Sequence, residues 1–148
     1  MTTVTLCSSA DFYKRAVEIQ GELETHGIST LLPATAEIMK KNGDFEVSHY
    51  KTWFSNANDY SKKTALMNGH FAEIEKSDAI LVINEKKRGI PNYIGGNVLM
   101  EMTIAFYLKK PIFILNNIPK ESAYLEEIIG LNPIVLGGDT EKLISHFL

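Results

Sequence analysis

The sequence has few of the residues that build disulfides and multi-cysteine metal centres. Cys7 is the single cysteine among 148 residues, so no disulfide can form within the chain. Zinc ribbons and iron–sulfur clusters need several cysteines and are not expected. Because a chain without a disulfide framework is typical of a reducing compartment, we expect a cytoplasmic protein.

Positive charge is also scarce. Fifteen Lys and Arg residues stand against 18 Asp and Glu residues, which gives a formal net charge of −3. No segment is basic enough to neutralise a row of phosphates, and that neutralisation is the basis of sequence-independent binding to long nucleic acids. We therefore expect no nucleic-acid partner.

Long apolar runs are absent as well. The longest, 79–83 and 111–115, are far shorter than the roughly 20 residues of a membrane-spanning helix. The first residues lack a basic region followed by a long apolar stretch, so they do not predict a signal peptide. We expect no association with a membrane.

Two common catalytic motifs are missing. The chain has no Gly/Lys/Ser phosphate loop, and His26, His49 and His146 have no spacing that suggests metal ligation. These absences disfavour a nucleotide triphosphatase and a zinc hydrolase. We therefore expect neither a metal nor a cofactor.

What the sequence does contain is an alternation of short apolar runs with helical periodicity. Apolar runs at 4–7, 28–32, 79–83, 111–115 and 134–136 predict strands, and helical spacing predicts helices at 12–23, 60–76, 98–109, 122–129 and from 140. Strands that are apolar on both faces are usually parallel and covered by helices on each side. The prediction is one α/β domain over 1–148, a flavodoxin- or Rossmann-like three-layer sandwich with about five parallel strands in the order 2-1-3-4-5. Residues 34–59 are expected to form a long, lid-like excursion with room for one helical piece.

The carboxyl ends of the strands are the expected ligand edge of such a sheet. Segments 7–11, 84–97 and 116–119 should meet there. Ser8 and Ser9 can hold an anion such as phosphate with hydroxyl and backbone N–H groups. The alternative is that Ser9 or Asp11 only caps the following helix.

The segment after the third strand contains a glycine pair and a glutamate. Gly95 and Gly96 permit close approach of the backbone to a ligand, and Asn97 is the expected cap of the next helix. Glu101 then falls on the apolar face of that helix. Two interpretations stay open for it: a helix-start acid or capping-box partner, or a nucleophile or sugar-hydroxyl acceptor.

A histidine one helix upstream is the second candidate for chemistry. Leu66, His70 and Ile74 recur every four residues, so His70 points the same way as two core side chains. It is either a hydrogen-bonded core residue or an acid/base at the edge of the sheet.

Four segments in order resemble the nucleoside 2-deoxyribosyltransferase family, including its branch of deoxynucleoside monophosphate N-glycosidases. They are Thr-Leu-Cys-Ser-Ser at 5–9, Ser-Asp-Ala-Ile-Leu-Val-Ile-Asn at 77–84, Gly-Gly-Asn-Val-Leu-Met-Glu-Met-Thr-Ile-Ala at 95–105 and Lys-Pro-Ile-Phe-Ile-Leu at 110–115. The resemblance implies a flavodoxin-like homo-oligomer, a dimer or a dimer of dimers. It also implies cleavage or transfer of the glycosidic bond of a deoxynucleoside or its 5′-monophosphate.

The resemblance also implies roles for particular residues. Glu101, with Ala105, matches the family's nucleophile, His70 stands at the position of its acidic catalytic residue, and Ser8 and Ser9 match a turn that helps to hold the 5′-phosphate. Thr5, Asp11, His70 and Leu99 differ from the family pattern, which keeps open a non-catalytic nucleotide-binding sensor using the same cleft. Tyr93, or the group Tyr50, Trp53 and Phe54, would stack on a base or belong to the core or a subunit contact. The expected catalytic residues are Glu101 and His70, and the expected substrate-binding residues are Ser8, Ser9, Asn84, Tyr93, Gly95, Gly96 and Asn97.

Overall fold

A parallel sheet forms the centre of the protein, as the apolar runs predict. The computed structural model describes all residues, 1–148. The strands are β1 (Thr3–Ser8), β2 (Ser29–Leu31), β3 (Ala79–Ile83), β4 (Ile112–Ile114) and β5 (Ile134–Val135). Their order is β2-β1-β3-β4-β5, and every neighbouring pair is parallel. The predicted fold class and strand order are therefore confirmed.

Six helices cover the two faces of the sheet. They are α1 (Tyr13–Thr25), α2 (Ala34–Asn42), α3 (Tyr60–Lys76), α4 (Gly96–Tyr107), α5 (Leu125–Gly130) and α6 (Glu141–Phe147). The excursion 34–59 consists of α2 followed by two short 3₁₀ turns, Val47–His49 and Ala57–Asp59. None of the helices has the length and apolar character needed to cross a membrane.

Successive side chains of the strands point into two separate cores. Leu6 and Leu81 pack on one face with α1 and α6, whereas Cys7, Ile80 and Val82 pack on the other face with α3 and α4. This alternation is the ordinary period of two along a strand. It puts the Cys7 thiol on the same side of the sheet as α3 and α4.

The carboxyl end of α3 is fixed by a lysine from the segment before β4. The Lys110 ammonium donates to the backbone carbonyls of Ile74 at 2.8 Å, Ser77 at 2.6 Å and also Glu75. A cation at this end of a helix satisfies carbonyls that have no partner within the helix and offsets the negative end of its dipole. Asp78 adds a second tie by accepting from the Thr3 N–H at 2.8 Å. The helix that contains His70 is thus held firmly against β1.

Candidate active site

A partly enclosed cavity lies beyond the carboxyl ends of β1 and β2. Its wall comes from the segments after β1 and β2, from the 34–59 excursion, and from α3 and α4. It has a volume of about 60 Å³, smaller than a cavity of about 150 Å³ that holds one benzene ring. The lining residues are Ala10, Tyr13, Pro33, Ala34, Thr35, Met39, Val47, Tyr50, Lys51, Trp53, Lys63, Leu66, Met67, His70, Phe71, Asn97 and Glu101.

Helix α4 begins earlier than the sequence predicts. Its cap is Gly95, so the expectation that Asn97 caps the helix is wrong. The extended backbone of Gly95 already ends the preceding loop, and Asn97 falls within the first helical turn. With this cap the third helical position is Val98, which excludes Glu101 from a capping box. The Asn97 side chain instead accepts a hydrogen bond from the Lys63 ammonium at 2.9 Å. Its amide nitrogen donates to Glu101 Oε1 at 3.4 Å.

Glu101 is buried in the cavity wall with one oxygen unpartnered. Its side chain is 2% exposed, and no backbone N–H, Lys or Arg binds it. Oε2 lies 3.1 Å from His70 Nε2, which is an ion-pair distance, yet no well-aligned hydrogen bond reaches that oxygen. A buried carboxylate oxygen without a hydrogen bond is rare and costly in folded proteins. This oxygen is therefore available to a ligand.

His70 stands between three groups. Its Nδ1 lies 3.1 Å from Glu73 Oε2, and its Nε2 lies 3.5 Å from the Cys7 sulfur as well as 3.1 Å from Glu101. Burial lowers the pKa of His70, but the influence of Cys7, Glu101 and Glu73 outweighs burial, so the net shift is upward. The raised pKa favours the protonated ring, and this ring faces the Glu101 carboxyl group.

The Cys7 thiol is not a nucleophile in this arrangement. It is completely buried, and burial together with the charge of Glu101 raises its pKa to about 11. Reactive cysteines show the opposite shift. Burial and Glu101 also raise the pKa of Tyr13, whose ring lies in the cavity wall. At neutral pH the Cys7 thiol is thus neutral.

Most of the predicted substrate-binding residues lie outside this cavity. Ser8 donates to the Ser9 carbonyl at 3.0 Å, and the Ser9 hydroxyl accepts from Lys87 at 2.7 Å. Lys87 also pairs with Asp11 at 3.0 Å. The serine turn is therefore next to the cavity but already engaged.

Asn84 and Gly95 have partners within the protein, and Gly96 is exposed outside the cavity. Asn84 is completely buried and joins the loops after β3 and β4, since it donates to Asn117 O at 2.9 Å and accepts from Asn116 N at 3.0 Å. A Cβ at Gly95 would lie 3.0 Å from the Tyr93 hydroxyl, so this glycine makes room for the tyrosine. The Lys87 ammonium also lies over the Tyr93 ring, 5.1 Å from the ring centroid.

The three aromatic residues of the excursion lie in different surroundings. Tyr50 and Trp53 line the cavity, and Lys63 lies 5.9 Å above the Trp53 ring. Phe54 is exposed. Two of the three aromatic rings are thus in a position to contact a ligand.

Sequence reasoning missed five residues of the site. Cys7 looks like any member of an apolar strand, and Tyr13, Lys51 and Lys63 show no pattern before the fold is known. Glu73 had a usable signal, because it stands three residues after His70 and such pairs are neighbours on a helix. The missed residues are Cys7, Tyr13, Lys51, Lys63 and Glu73.

The charge of His70 can be measured directly. Because its folded-state pKa is raised, the protonated ring stabilises the fold fully below the ordinary histidine pKa of about 6.5, and this stability is lost as pH rises through the folded-state value. We expect long-range ¹H–¹⁵N spectra at pH 8 to show both ring nitrogens of His70 protonated, and Glu101→Gln to lower the midpoint of its titration. A neutral His70 ring at pH 8 would contradict this assignment.

Comparison with known proteins supports the fold and assigns no activity. No family model matches the chain, and no curated protein matches its sequence. A solved structure described as a conserved protein from Enterococcus faecalis V583 is similar, with a TM-score of 0.54 and 18% identity. The similarity covers 98% of this chain and 96% of that one. The two proteins thus share an α/β fold over nearly their full lengths.

Proposed function

We propose that the protein cleaves or transfers the N-glycosidic bond of a deoxynucleoside or deoxynucleoside 5′-monophosphate, with Glu101 as the nucleophile. The observation that supports this most is the buried Glu101 in the wall of a cavity, whose Oε2 has no hydrogen bond and only the contact with His70. A desolvated carboxylate held beside a cation is suited to attack a sugar carbon that develops positive charge. The resemblance of the segments at 77–84 and 95–105 to the deoxyribosyltransferases points to the same chemistry.

The proposed reaction has two steps. Glu101 Oε2 forms a bond to the anomeric carbon of the deoxyribose while the bond to the base breaks, and the base leaves with the electron pair and takes a proton from water in the cavity mouth. Water, or a second base, then attacks the glycosyl ester from the face that the first base left and gives up a proton to the hydroxide that remains from the first step. Glu101 is released as a carboxylate.

The position of His70 assigns it a supporting part in that reaction. In retaining glycosidases the acid and the nucleophile are about 5 to 5.5 Å apart, because the leaving group lies on the opposite face of the sugar. His70 Nε2 is only 3.1 Å from the nucleophilic oxygen. We therefore propose His70 as a positioning residue that fixes the charge and orientation of Glu101, and not as the acid suggested by its sequence position.

Lysines near the cavity favour a phosphorylated substrate. Lys51 and Lys63 line the cavity, and neither pairs with a carboxylate. Burial lowers the pKa of Lys51, and the nearby Lys63, Lys87 and Arg88 lower it further. Positive charges that lie close together repel one another and attract an anion. A 5′-phosphate bound at this rim would reduce the repulsion between these lysines.

The size of the cavity requires movement of the excursion. A volume of about 60 Å³ admits a few small groups and not a whole nucleotide. The part of the wall from Val47 to Trp53 belongs to the excursion, which has no strand or α-helix between α2 and α3. We propose that this segment swings outward to admit the substrate, as active-site lids do.

An exposed apolar face on α4 supports the expected oligomer. Phe106 and Tyr107 are 50% and 82% exposed, and Met100 on the same helix is also exposed. Aromatic side chains are enriched at subunit interfaces. We propose that this face contacts a second copy of the chain.

The nucleophile is tested by replacing its carboxylate with an amide of the same shape. We expect Glu101→Gln to lower the rate of base release from deoxynucleoside monophosphates by about 10³-fold or more. Glu126→Gln on the exposed surface of α5 is the matched control and should react at the wild-type rate. Released base is measured by chromatography. Release that survives Glu101→Gln overturns the mechanism, and binding of nucleotides without release from any of them supports the sensor instead.

The phosphate preference is tested on the lysines. We expect Lys51→Met and Lys63→Met each to raise KM for monophosphates about tenfold, the value of one charge-assisted hydrogen bond. KM for the corresponding nucleosides should change little. Lys41→Met, on the exposed side of α2, serves as the control. If KM rises equally for nucleosides and monophosphates, these lysines do not bind the phosphate.

The oligomer is tested in solution. We expect sedimentation equilibrium to give a dimer or larger species, and Tyr107→Ser to shift it toward monomer because the variant loses buried aromatic area. Phe54→Ser, which removes an exposed aromatic ring elsewhere, should leave the mass unchanged. A wild-type protein that stays monomeric at high concentration would contradict the proposal.

A further inference from the structure

Three side chains that are distant in sequence place different ligand atoms around one point. The Cys7 sulfur, His70 Nε2 and a Glu101 carboxylate oxygen all lie within 4.8 Å of one another. The sulfur is 3.5 Å from Nε2, and Nε2 is 3.1 Å from Oε2. All three residues are buried. No sequence spacing predicts this group, because each ligand comes from a different element.

The separations can be compared with those around a tetrahedral ion. Bonds of about 2.3 Å to sulfur and about 2.0 Å to nitrogen and oxygen place neighbouring donor atoms about 3.3 to 3.6 Å apart. Two of the three separations already lie close to this range. The third, between Cys7 and Glu101, needs to shorten by no more than about 1.3 Å, which rotation of the glutamate side chain supplies.

Two further features are those of a prepared ligand set. His70 offers Nε2 inward while its Nδ1 faces the Glu73 carboxylate at 3.1 Å, and metal-bound histidines almost always donate their second N–H to such a group. The Glu101 Oε2 atom is buried and has no hydrogen bond. A coordinated cation would satisfy that oxygen, whose contact within the chain is the ion-pair distance to His70 Nε2.

We propose that Cys7, His70 and Glu101 bind one divalent ion of the zinc class. The mixed sulfur, nitrogen and oxygen set suits Zn²⁺ or Co²⁺, whereas Mg²⁺ and Ca²⁺ prefer oxygen ligands alone. His70 and Glu101 both line the cavity, so the fourth position of the ion faces the space that the ligand enters. On binding, the thiol and the imidazolium each release one proton, because only the thiolate and the neutral ring coordinate.

Occupancy of this site blocks Glu101 as a nucleophile, a consequence that rests on the proposed function. The ion takes the same Oε2 atom that would attack the sugar. Glu101 can therefore either bind the ion or attack the sugar, but it cannot do both at once. Zinc is an inhibitor in this scheme.

The test uses Co²⁺ as a spectroscopic probe on the complete chain. A thiolate bound to Co²⁺ gives a charge-transfer band in the near ultraviolet, and Cys7 is the single possible source because it is the single cysteine. We expect one equivalent of Co²⁺ to produce the band and Zn²⁺ to displace it. Absence of the band in the wild-type protein overturns the proposal.

Variants decide whether the other two ligands take part. We expect Cys7→Ser to lose the band, and His70→Gln and Glu101→Gln to weaken Co²⁺ binding by at least tenfold, with circular dichroism checking that each variant is folded. Glu73→Gln should weaken binding about 10- to 100-fold, as loss of such an outer partner does. His49→Ala, which removes an exposed histidine paired with Asp44, is the control and should bind as the wild type does. Binding that is unchanged in Glu101→Gln overturns the three-ligand site.

The inhibition is a separate arm of the experiment. We expect Zn²⁺ to suppress base release and a chelator to restore it. If no nucleotide releases base, the proposed function fails and the cobalt band still decides the metal site. If base is released and Zn²⁺ occupies the site without slowing the reaction, the inhibitory role is wrong.

Discussion

The buried ion pair between Glu101 and His70 is the constraint on which the candidate site depends. Removing a carboxylate and an imidazolium from water costs several kcal/mol per ion, and their attraction offsets this only when the geometry is good and the remaining polar atoms are satisfied. Glu73 satisfies the outer nitrogen of His70, whereas Oε2 of Glu101 is left without a hydrogen bond. The fold therefore maintains an incompletely satisfied charge at one place, and functional sites are where such exceptions concentrate.

The architecture was predictable because it depends on patterns of several residues. Ala79–Ile83 is apolar throughout, which only a strand covered on both faces explains, and the helix Tyr60–Lys76 has the predicted bounds. The alternation of strands with helices predicted a parallel sheet, and the strand order was chosen as one of the common orders of such sheets and is confirmed. These features average over many side chains, so single unusual residues do not disturb them.

The details of the site were less predictable because each depends on one contact across the fold. Glu101 and His70 were identified from their spacing on apolar helix faces, and the structure brings them together. Cys7 gave no indication, since its role comes from the sheet register that turns its thiol toward α3. The glycine pair was expected to face a ligand, but Gly95 accommodates the Tyr93 ring, a contact between side chain and backbone that has no sequence signature.

The Lys110 contacts have a consequence for how the protein can change. By holding the end of α3 to the segment before β4, they fix the helix that contains His70, whereas the segment between α2 and α3 is anchored by the buried Trp53 beside Lys63. Under the proposed function, the segment that admits the substrate and the helix that holds the reacting groups are thus fixed by different contacts. Substitutions in the entry segment can retune which compounds pass inward during evolution without disturbing the charged groups beneath.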